Sequence, residues 1–368
     1  MIYLDNAATT RPDAEILLKN KDIYGENFFN PSALYRGGLD AKKRIETARG
    51  QIAAYFPKDC EIVFTSCGSE ADDTAILSFC KRGNFVTTAG EHSAVHETFK
   101  ALKARGADVR FAELNENGSV NESNLLSLID DKTTFISVVH VNNETGAIND
   151  INTLAEKIKA LNPSVIFHSD GVQAFGKIPF SLGKCVDLYS ISAHKIGGVK
   201  GVGALIKRKK LNLTPLIYGG GQESGLRSGT ENVFGIAVFG DAAEKKRKNL
   251  KDNYEIAKNN KSLFLSLIKD DDLKIITSRN SSPYIVSLSA VGLRGEVILH
   301  MLEEKGVIVG TGSACSSRNR YSRVLAACGY DKAVLDGALR ISTTEEELRI
   351  CAEDLLGCVK KLKGVMNG

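Results

Sequence analysis

The amino-acid sequence predicts an α/β protein with a mostly parallel sheet covered by helices, followed by a smaller α+β region. Between about residues 40 and 210, amphipathic stretches alternate with short apolar runs rich in β-branched residues, which is typical of β-α-β units. The chain has 368 residues, 43% of them hydrophobic, and this is enough for about two or three folding units with a sizeable core.

Seven apolar runs are predicted as strands of the large sheet, and amphipathic stretches at 93–104 and 154–161 are predicted as helices. The second of these helices is expected to open after Thr153 and to stop near Asn162. A sheet of this kind binds ligands outside the carboxyl ends of its strands, so residues that follow the runs are candidates for a site. The predicted strands are 61–65, 85–89, 109–112, 134–141, 165–169, 188–192 and 203–207.

A polar, lysine-rich stretch at 241–261 predicts one or two exposed helices and a boundary near residue 250. We therefore assign residues 13–250 to a large domain, and residues 1–12 together with 251–368 to a small α+β domain. The elements expected after the boundary are strands at 273–277, 285–290 and 307–309 and helices at 294–305 and 345–361.

Composition and charge narrow the range of partners. The 48 Lys and Arg residues against 44 Asp and Glu give a net charge of +4, too small to attract a long polyanion without a concentrated patch. No stretch approaches the roughly 20 apolar residues of a membrane span, and the amino terminus lacks the features of a secretory signal. The eight cysteines form no C-x-x-C pair. We expect reduced thiols, no direct nucleic-acid or membrane partner, and a cytoplasmic location.

Three polar segments follow predicted strands. In the turn at 66–69, Ser69 and Asp72 form a capping-box pattern, and a helix start of this kind either is a plain cap or seats a phosphate. Asp170 ends another strand, where an acid can simply start a turn. Lys195 ends a third, either as a side chain that reaches solvent or as an amine that forms a Schiff base. Together, a phosphate seat, an acid and an amine at one edge of a sheet match the needs of pyridoxal 5'-phosphate.

Further segments, taken in chain order, carry a resemblance to a known family, the cysteine desulfurases of the class V aminotransferase branch of fold type I pyridoxal phosphate enzymes. The resemblance covers nearly the whole chain and implies the fold of those enzymes and a homodimer. The matching segments are 3–10 (YLDNAATT), 30–32, 64–66, 91–93, 141–146, 170 with 173, 192–195, 219–222, 227–230 and 312–317.

The resemblance implies roles for residues around the cofactor. Lys195 would bond the cofactor, Asp170 would pair with the ring nitrogen, and Gln173 would bind the ring hydroxyl. His92 would stack on the ring and move protons. From the residues alone, His92 and His96 are either a metal pair or surface histidines, but a third metal ligand and the glutamate of HExxH are missing, so no metal is expected. The residues that would hold the phosphate are Gly68, Ser69, Ser192 and His194, with Thr230 from a second subunit.

The resemblance also implies a substrate site and a nucleophile. Asn143 would lie beside the cofactor and, with Arg340, would bind the substrate carboxylate, a task suited to the bidentate fork of arginine. Cys315 lies in a run too polar and too rich in glycine and serine to be core. A thiol there, flanked by Arg318 and Arg320, fits a nucleophile that takes sulfur from the substrate.

The implied function is a pyridoxal phosphate-dependent cysteine desulfurase. It would convert L-cysteine to L-alanine and carry the sulfur as a persulfide on Cys315 to a protein acceptor, such as an iron-sulfur scaffold, or to tRNA thiolation. Two alternatives stay open: another class V enzyme, such as a selenocysteine lyase or an aminotransferase, and a weakly active paralogue that relays sulfur. The second alternative is suggested by Cys67, Ser69 and Asp73, which replace the family's common Gly, Thr and Asn, and by a shortened run after Ser342.

Overall fold

The computed structural model describes residues 1–311, 321–343 and 348–367. Helices and strands alternate along residues 60–170, as the sequence predicts, and two further strands follow by residue 208 without an α-helix between them. The strands are β1 (Ile2–Tyr3), β2 (Cys60–Thr65), β3 (Asn84–Thr88), β4 (Asp108–Ala112), β5 (Thr133–Ser137), β6 (Ile166–Asp170), β7 (Leu188–Ser192), β8 (Gly203–Arg208), β9 (Leu273–Ile275), β10 (Val286–Ala290), β11 (Val307–Ile308) and β12 (Ala338–Ile341). The α-helices are α1 (Ala14–Lys19), α2 (Arg36–Ala53), α3 (Gly68–Phe79), α4 (Ser93–Ala104), α5 (Glu122–Ser127), α6 (Ile151–Leu161), α7 (Val233–Lys248), α8 (Leu250–Leu267), α9 (Gly295–Glu304), α10 (Arg323–Ala327), α11 (Lys332–Asp336) and α12 (Leu348–Asn367).

Strands β2 to β8 form one seven-stranded sheet in the order β2-β8-β7-β6-β5-β3-β4. The neighbours from β7 across to β4 are parallel. Strand β8 is antiparallel to both of its neighbours, β7 and β2. Each predicted strand of the large sheet is present, and the sheet is mostly parallel. Because β8 is the reversed strand, β2, β6 and β7 all end at the same edge of the sheet.

Helices cover both faces of this sheet. On one face, apolar side chains of α2, α6 and α7 form a core cluster with residues such as Phe167 and Tyr189 of the strands. On the other face, α3 and α4 pack over Phe135 and its neighbours in a second cluster. A helical layer on each face is the arrangement expected for a largely parallel sheet, and it leaves the strand ends available for a site.

Two helix predictions were wrong in detail. Helix α6 begins at Ile151 and not after Thr153, because Asp150 caps it with a carboxylate that accepts from the Thr153 N–H at 3.1 Å. The helices predicted at 241–261 are α7 and α8, and most of this stretch is exposed or half-buried, but α7 begins earlier, at Val233, with its first turns buried and packed with α2. Within the described ranges, no helix has both the length and the apolar character needed to cross a membrane.

Two smaller sheets lie in the carboxyl-terminal part of the chain. Strand β1 pairs in parallel with β11, and β10 lies between β9 and β12 in antiparallel pairing. Leu4 is fully buried in the same core as residues of α8, α9 and α12. The first residues of the chain therefore pack with its last third. The domain bounds at residues 12 and 250 stay a prediction.

Candidate active site

A cavity of about 240 Å³ lies at the edge of the large sheet where β2, β6 and β7 end. It brings together most of the residues that the sequence predicts for the site. Thr230 is exposed and lies in a separate groove beside Gly229 and Glu231. Cys315 lies outside the described residues. The predicted residues that line the cavity are Gly68, Ser69, His92, Asn143, Asp170, Gln173, Ser192, His194, Lys195 and Arg340.

The Lys195 amine is held by the backbone of the amino-terminal segment. Lys195 ends a short 3₁₀ helix (Ala193–Lys195) directly after β7, which carries it to the strand edge. Its Nζ donates to the carbonyl oxygens of Ala7 and Ala8, both at 2.7 Å. These acceptors carry no formal charge, so they position the amine without forming an ion pair with it.

Two buried carboxyl groups lie on the large-sheet side of the cavity. Asp170 is the last residue of β6, is 4% exposed, and accepts from the Val172 N–H at 2.9 Å. Burial raises the pKa of Asp170, while His92 and Lys195 oppose the rise. Asp72 of α3 is 1% exposed, and burial together with the charge of Asp170 raises its pKa well above the usual range. The pair therefore favours a proton on Asp72 and the negative charge on Asp170.

A neutral histidine, His168, contacts Asp72. His168 Nε2 lies 3.5 Å from Asp72 Oδ1 and 2.9 Å from Ser190 Oγ. Burial lowers the pKa of His168 to about 3, so the ring is uncharged at neutral pH and its contact with Asp72 is not an ion pair.

The two imidazoles of the cavity are also neutral. His92 caps α4, and its Nδ1 accepts from the Ala94 N–H at 3.2 Å, which leaves the ring proton on Nε2. Burial lowers the pKa of His92, with Asp170 opposing and Lys195 adding to the effect. His194 Nδ1 lies 3.1 Å from Thr9 Oγ1, and burial followed by the charge of Lys195 lowers its pKa to about 4.

The start of α3 forms a seat with unused hydrogen-bonding capacity. Gly68 and Ser69 are the first residues of the helix, and the Cys67 Sγ caps it by accepting from the Glu70 N–H at 3.4 Å. A Cβ on Gly68 would lie 3.0 Å from Val172 Cγ2, so a larger residue would crowd this seat. Ser192 Oγ is buried beside Gly68 and has no hydrogen-bond partner among the described residues. A free hydroxyl at a helix amino terminus suits an anion such as a phosphate.

Arg340 reaches the cavity from the small three-stranded sheet. It lies on β12 with its side chain 4% exposed. Its Nη2 donates to Asp5 Oδ1 at 2.7 Å and its Nη1 to the Asn143 carbonyl oxygen at 2.9 Å. Its buried Nε has no hydrogen-bond partner within the described parts of the chain. The guanidinium is thus fixed in place and retains a donor for a further acceptor.

The comparisons with known proteins identify the family of the chain. Residues 2–348 match the family Aminotransferase class-V. The chain belongs to the class V aminotransferases. Within this family it is 35% identical to the cysteine desulfurase of Nostoc sp., an alignment that covers 99% of this chain and 94% of that protein. Its relatives thus place it among the cysteine desulfurases, which confirms the predicted family and enzyme class.

Solved structures of similar proteins share the fold over nearly the whole chain. A NifS-like protein, 34% identical, superposes with a TM-score of 0.89 over 100% of this chain and 99% of its own. SspA, solved in complex with cysteine, is 28% identical with a TM-score of 0.82, over 94% of this chain and 100% of its own. The predicted fold type I architecture is therefore confirmed.

Class V aminotransferases depend on pyridoxal phosphate, and the cavity fits this group. The buried, unpartnered Ser192 hydroxyl and the open seat at Gly68 suit its phosphate. Asp170 suits its ring nitrogen, and the Lys195 amine suits its aldehyde. The chemistry of the donor set and the orphaned hydroxyl thus agree with the cofactor that the family uses.

Several residues of the site were missed by the sequence-based prediction. The Ala7 and Ala8 carbonyls hold Lys195, and Asp5 holds Arg340. All three lie in the matching segment 3–10, so a signal was present but no role was assigned to it. Lys177 carried a weaker signal: it lies four residues after Gln173, and its Nζ donates to the Gln173 side chain.

Proposed function

We propose that this class V enzyme is a pyridoxal phosphate-dependent cysteine desulfurase that converts L-cysteine to L-alanine and collects the sulfur as a persulfide on Cys315. The observation that carries the proposal is the convergence of the Lys195 amine, the Asp170 carboxylate and the unpartnered Ser192 hydroxyl in one cavity that also contains Arg340. The cysteine desulfurase relatives, and the structure of SspA with cysteine, support the choice of substrate.

The residues of the large sheet prepare the site for proton transfer. When bound, pyridoxal phosphate supplies an aldehyde that bonds amino groups and a ring that draws electrons from the substrate Cα. Asp170, with Asp72 holding a proton beside it, presents a carboxylate to the ring nitrogen. Lys195 Nζ takes the α-proton of L-cysteine and later returns a proton to the product. His92, whose ring proton is on Nε2, would lie against the ring and would assist these transfers.

Arg340 and Asn143 orient the substrate. The remaining donors of Arg340 bind the carboxylate of L-cysteine, while Asp5 and the Asn143 carbonyl hold the guanidinium in place. This contact fixes the carboxylate, so the Cα–H bond faces Lys195 and the Sγ is left for attack.

The sulfur transfer is a thiolate attack on the substrate sulfur. The Cys315 thiolate forms an S–S bond with the Sγ of L-cysteine, and the Cβ–S bond breaks with its electron pair left on Cβ. That carbon is protonated, and L-alanine leaves. The thiol of Cys315 and L-cysteine thus become a persulfide and L-alanine, with no external oxidant or reductant. A thiol on an acceptor protein, such as an iron-sulfur scaffold, takes the terminal sulfur by a further exchange.

We propose that the enzyme acts as a homodimer in the cytoplasm. Large apolar side chains are exposed on the loop before α2: Phe28 by 71%, Leu34 by 91% and Tyr35 by 57%. Tyr218, exposed by 76%, lies in the loop that precedes Thr230. Exposed apolar groups of this size favour burial against a partner, and a second copy would bring Thr230 to the phosphate seat of its neighbour.

A spectroscopic assay tests the proposed function. The chain is purified with pyridoxal phosphate, its visible spectrum is recorded, and L-cysteine is added with a reductant. We expect a visible cofactor band and equal amounts of L-alanine and sulfide. A protein without the band, or one with the band that forms no L-alanine, would contradict the proposal. Faster turnover of selenocysteine than of cysteine would favour the selenocysteine lyase alternative.

A further inference from the structure

A lysine with no counter-ion among the described residues is buried directly behind the cofactor cavity. Lys177 is 8% exposed, and within the same part of the chain its Nζ makes one hydrogen bond, to Gln173 Oε1 at 2.8 Å. Burial lowers the pKa of Lys177 well below its usual range, and the nearby charges of Lys195, Lys246 and Arg340 lower it further. Burial therefore disfavours the charged form of the amine, and its hydrogen bond to Gln173 is the one hydrogen bond of its Nζ within the described residues.

Lys177 lies outside the lining of the cofactor cavity. Gln173 lines the cofactor cavity, whereas Lys177 lines a neighbouring cleft of about 730 Å³. Lys195 borders both spaces. Any effect of Lys177 on the cofactor must therefore pass through Gln173 or through the charges around it.

Each polar atom of the Gln173 amide makes one hydrogen bond. Its Oε1 accepts from Lys177, and its Nε2 donates to the Ala7 carbonyl at 2.7 Å. The same carbonyl accepts from Lys195, so the amide and the lysine amine share an anchor. Nε2 carries two N–H bonds, and the contact with Ala7 uses one of them. The other is left for the cavity.

We propose that Lys177 is a positioning residue, which clamps the Gln173 amide so that its remaining N–H faces the ring oxygen of pyridoxal phosphate. The proposal rests on the proposed function for the identity of the cofactor. It assigns a task to a buried lysine that the reaction itself does not use.

The clamp has a physical reason. Without the Lys177 donor, Gln173 Oε1 would be a buried acceptor with no partner, and the amide would rotate to recover a hydrogen bond. The Ala7 carbonyl alone fixes one atom of the amide and leaves rotation about that contact. Hydrogen bonds at both Oε1 and Nε2 fix the plane of the Gln173 amide, and this plane sets the direction of the second N–H.

A double-mutant cycle tests this proposal. Lys177→Met and Gln173→Met are made singly and together, and the dissociation constant of pyridoxal phosphate and the position of its visible band are measured. We expect Lys177→Met to weaken cofactor binding about tenfold, as for the loss of one buried hydrogen bond, and to shift the band. In the Gln173→Met background, Lys177→Met should cause no further change in either quantity.

Rescue and control variants separate positioning from stability. Lys177→Gln keeps a donor for Gln173 and should recover most of the lost affinity and the wild-type band. Lys245→Met removes an exposed lysine from the same cleft, one that is paired with Asp13 and Glu15, and should leave both readouts unchanged. Thermal unfolding of each variant shows that it is folded.

The outcomes distinguish the two proposals. If the wild-type chain develops the cofactor band but Lys177→Met binds and absorbs like the wild type, the role of Lys177 is wrong and the proposed function stands. The same holds if Lys177→Met weakens binding equally with and without Gln173, because the effect would then not pass through the amide. If the wild-type chain develops no band, both proposals fall.

Discussion

The two walls of the cavity are built in different ways. On the large-sheet wall, Asp170 ends β6 and Lys195 follows the neighbouring strand β7, and each is supported within its own wall or by the backbone of the amino-terminal segment. On the small-sheet wall, Arg340 is held by Asp5, which is 335 residues away in sequence. The first wall contains the groups that suit the cofactor, and the second contains the group that suits the substrate carboxylate.

We infer that the large-sheet wall serves the reaction and that the small-sheet wall serves substrate recognition. Substitutions on the large-sheet wall should abolish cofactor binding or the proton transfers of the reaction. Changes on the small-sheet wall should weaken substrate binding and leave the cofactor in place. Each of the following predictions removes a side-chain group from the protein and tests whether the two walls act independently.

Lys195→Ala should have the largest effect. Loss of the amine removes the group that bonds the cofactor and moves the α-proton, so L-alanine formation should fall by roughly four orders of magnitude or more. Borohydride treatment of the wild-type holoenzyme should fix the cofactor to the peptide that contains Lys195, as read by mass spectrometry. Lys245→Ala is the matched control and should keep full activity. A label on another lysine would contradict the assignment.

Cys315→Ala should lower the rate of L-alanine formation from L-cysteine by roughly three orders of magnitude and leave the visible cofactor band unchanged. The reason is that the thiol takes the sulfur but does not hold the cofactor. Cys60→Ala, which removes a thiol whose pKa is raised by burial, is the control. Retained turnover in Cys315→Ala would mean that another group accepts the sulfur.

The predictability of the site follows the same division. Asp170, Ser192 and Lys195 could be predicted because a strand and the polar residue after it are adjacent in sequence. The pairing of Asp5 with Arg340 could not, because it depends on β1 joining β11 and on Gly310 bridging to Arg340 in the small sheets. Sequence pattern does not specify which distant strands become neighbours.

The fold shows the same limit. The run that forms β8 was predicted as a strand, but its apolar pattern is the same in either direction, so its reversal required the structure. The start of α6 was a local error, since Asp150 is an N-cap residue type with Thr153 three positions later. The burial of Lys177 was not predicted, because a lysine in the segment between two strands is usually exposed, and its spacing from Gln173 was only a weak signal.

Arg340→Ala tests the small-sheet wall. We expect the KM for L-cysteine to rise about 10- to 100-fold, as for the loss of a charged hydrogen-bonding partner, with a smaller change in kcat and an unchanged cofactor band. Arg294→Ala, at an exposed arginine paired with Glu296, should match the wild type. An unchanged KM would remove Arg340 from the substrate site. Loss of the cofactor band would show that the two walls are not independent.

Glu91→Gln should have the smallest effect and act on stability rather than on turnover. Glu91 precedes His92 and is fully buried; its Oε1 accepts from Thr88 Oγ1 at 2.8 Å and from the Val139 N–H at 2.9 Å. Burial raises the pKa of Glu91 from the ordinary 4.5 to about 8. Between these values the folded chain holds a proton that the unfolded chain releases, so this group lowers the free energy of unfolding as the pH rises.

The glutamine amide of this variant keeps the acceptor and needs no proton, so the stability gained by Glu91→Gln should grow with pH from about 5 to 8, by at most about 1.4 kcal/mol per pH unit. Denaturant unfolding of both proteins at pH 5 and pH 8 measures this difference. Glu97→Gln is the control: Glu97 is exposed, and the pKa of its carboxyl is lowered by Lys100, so its variant should show no such gain. An equal gain at both pH values would mean that Glu91 is ionised in the folded chain, and that the large-sheet wall tolerates a buried negative charge beside His92.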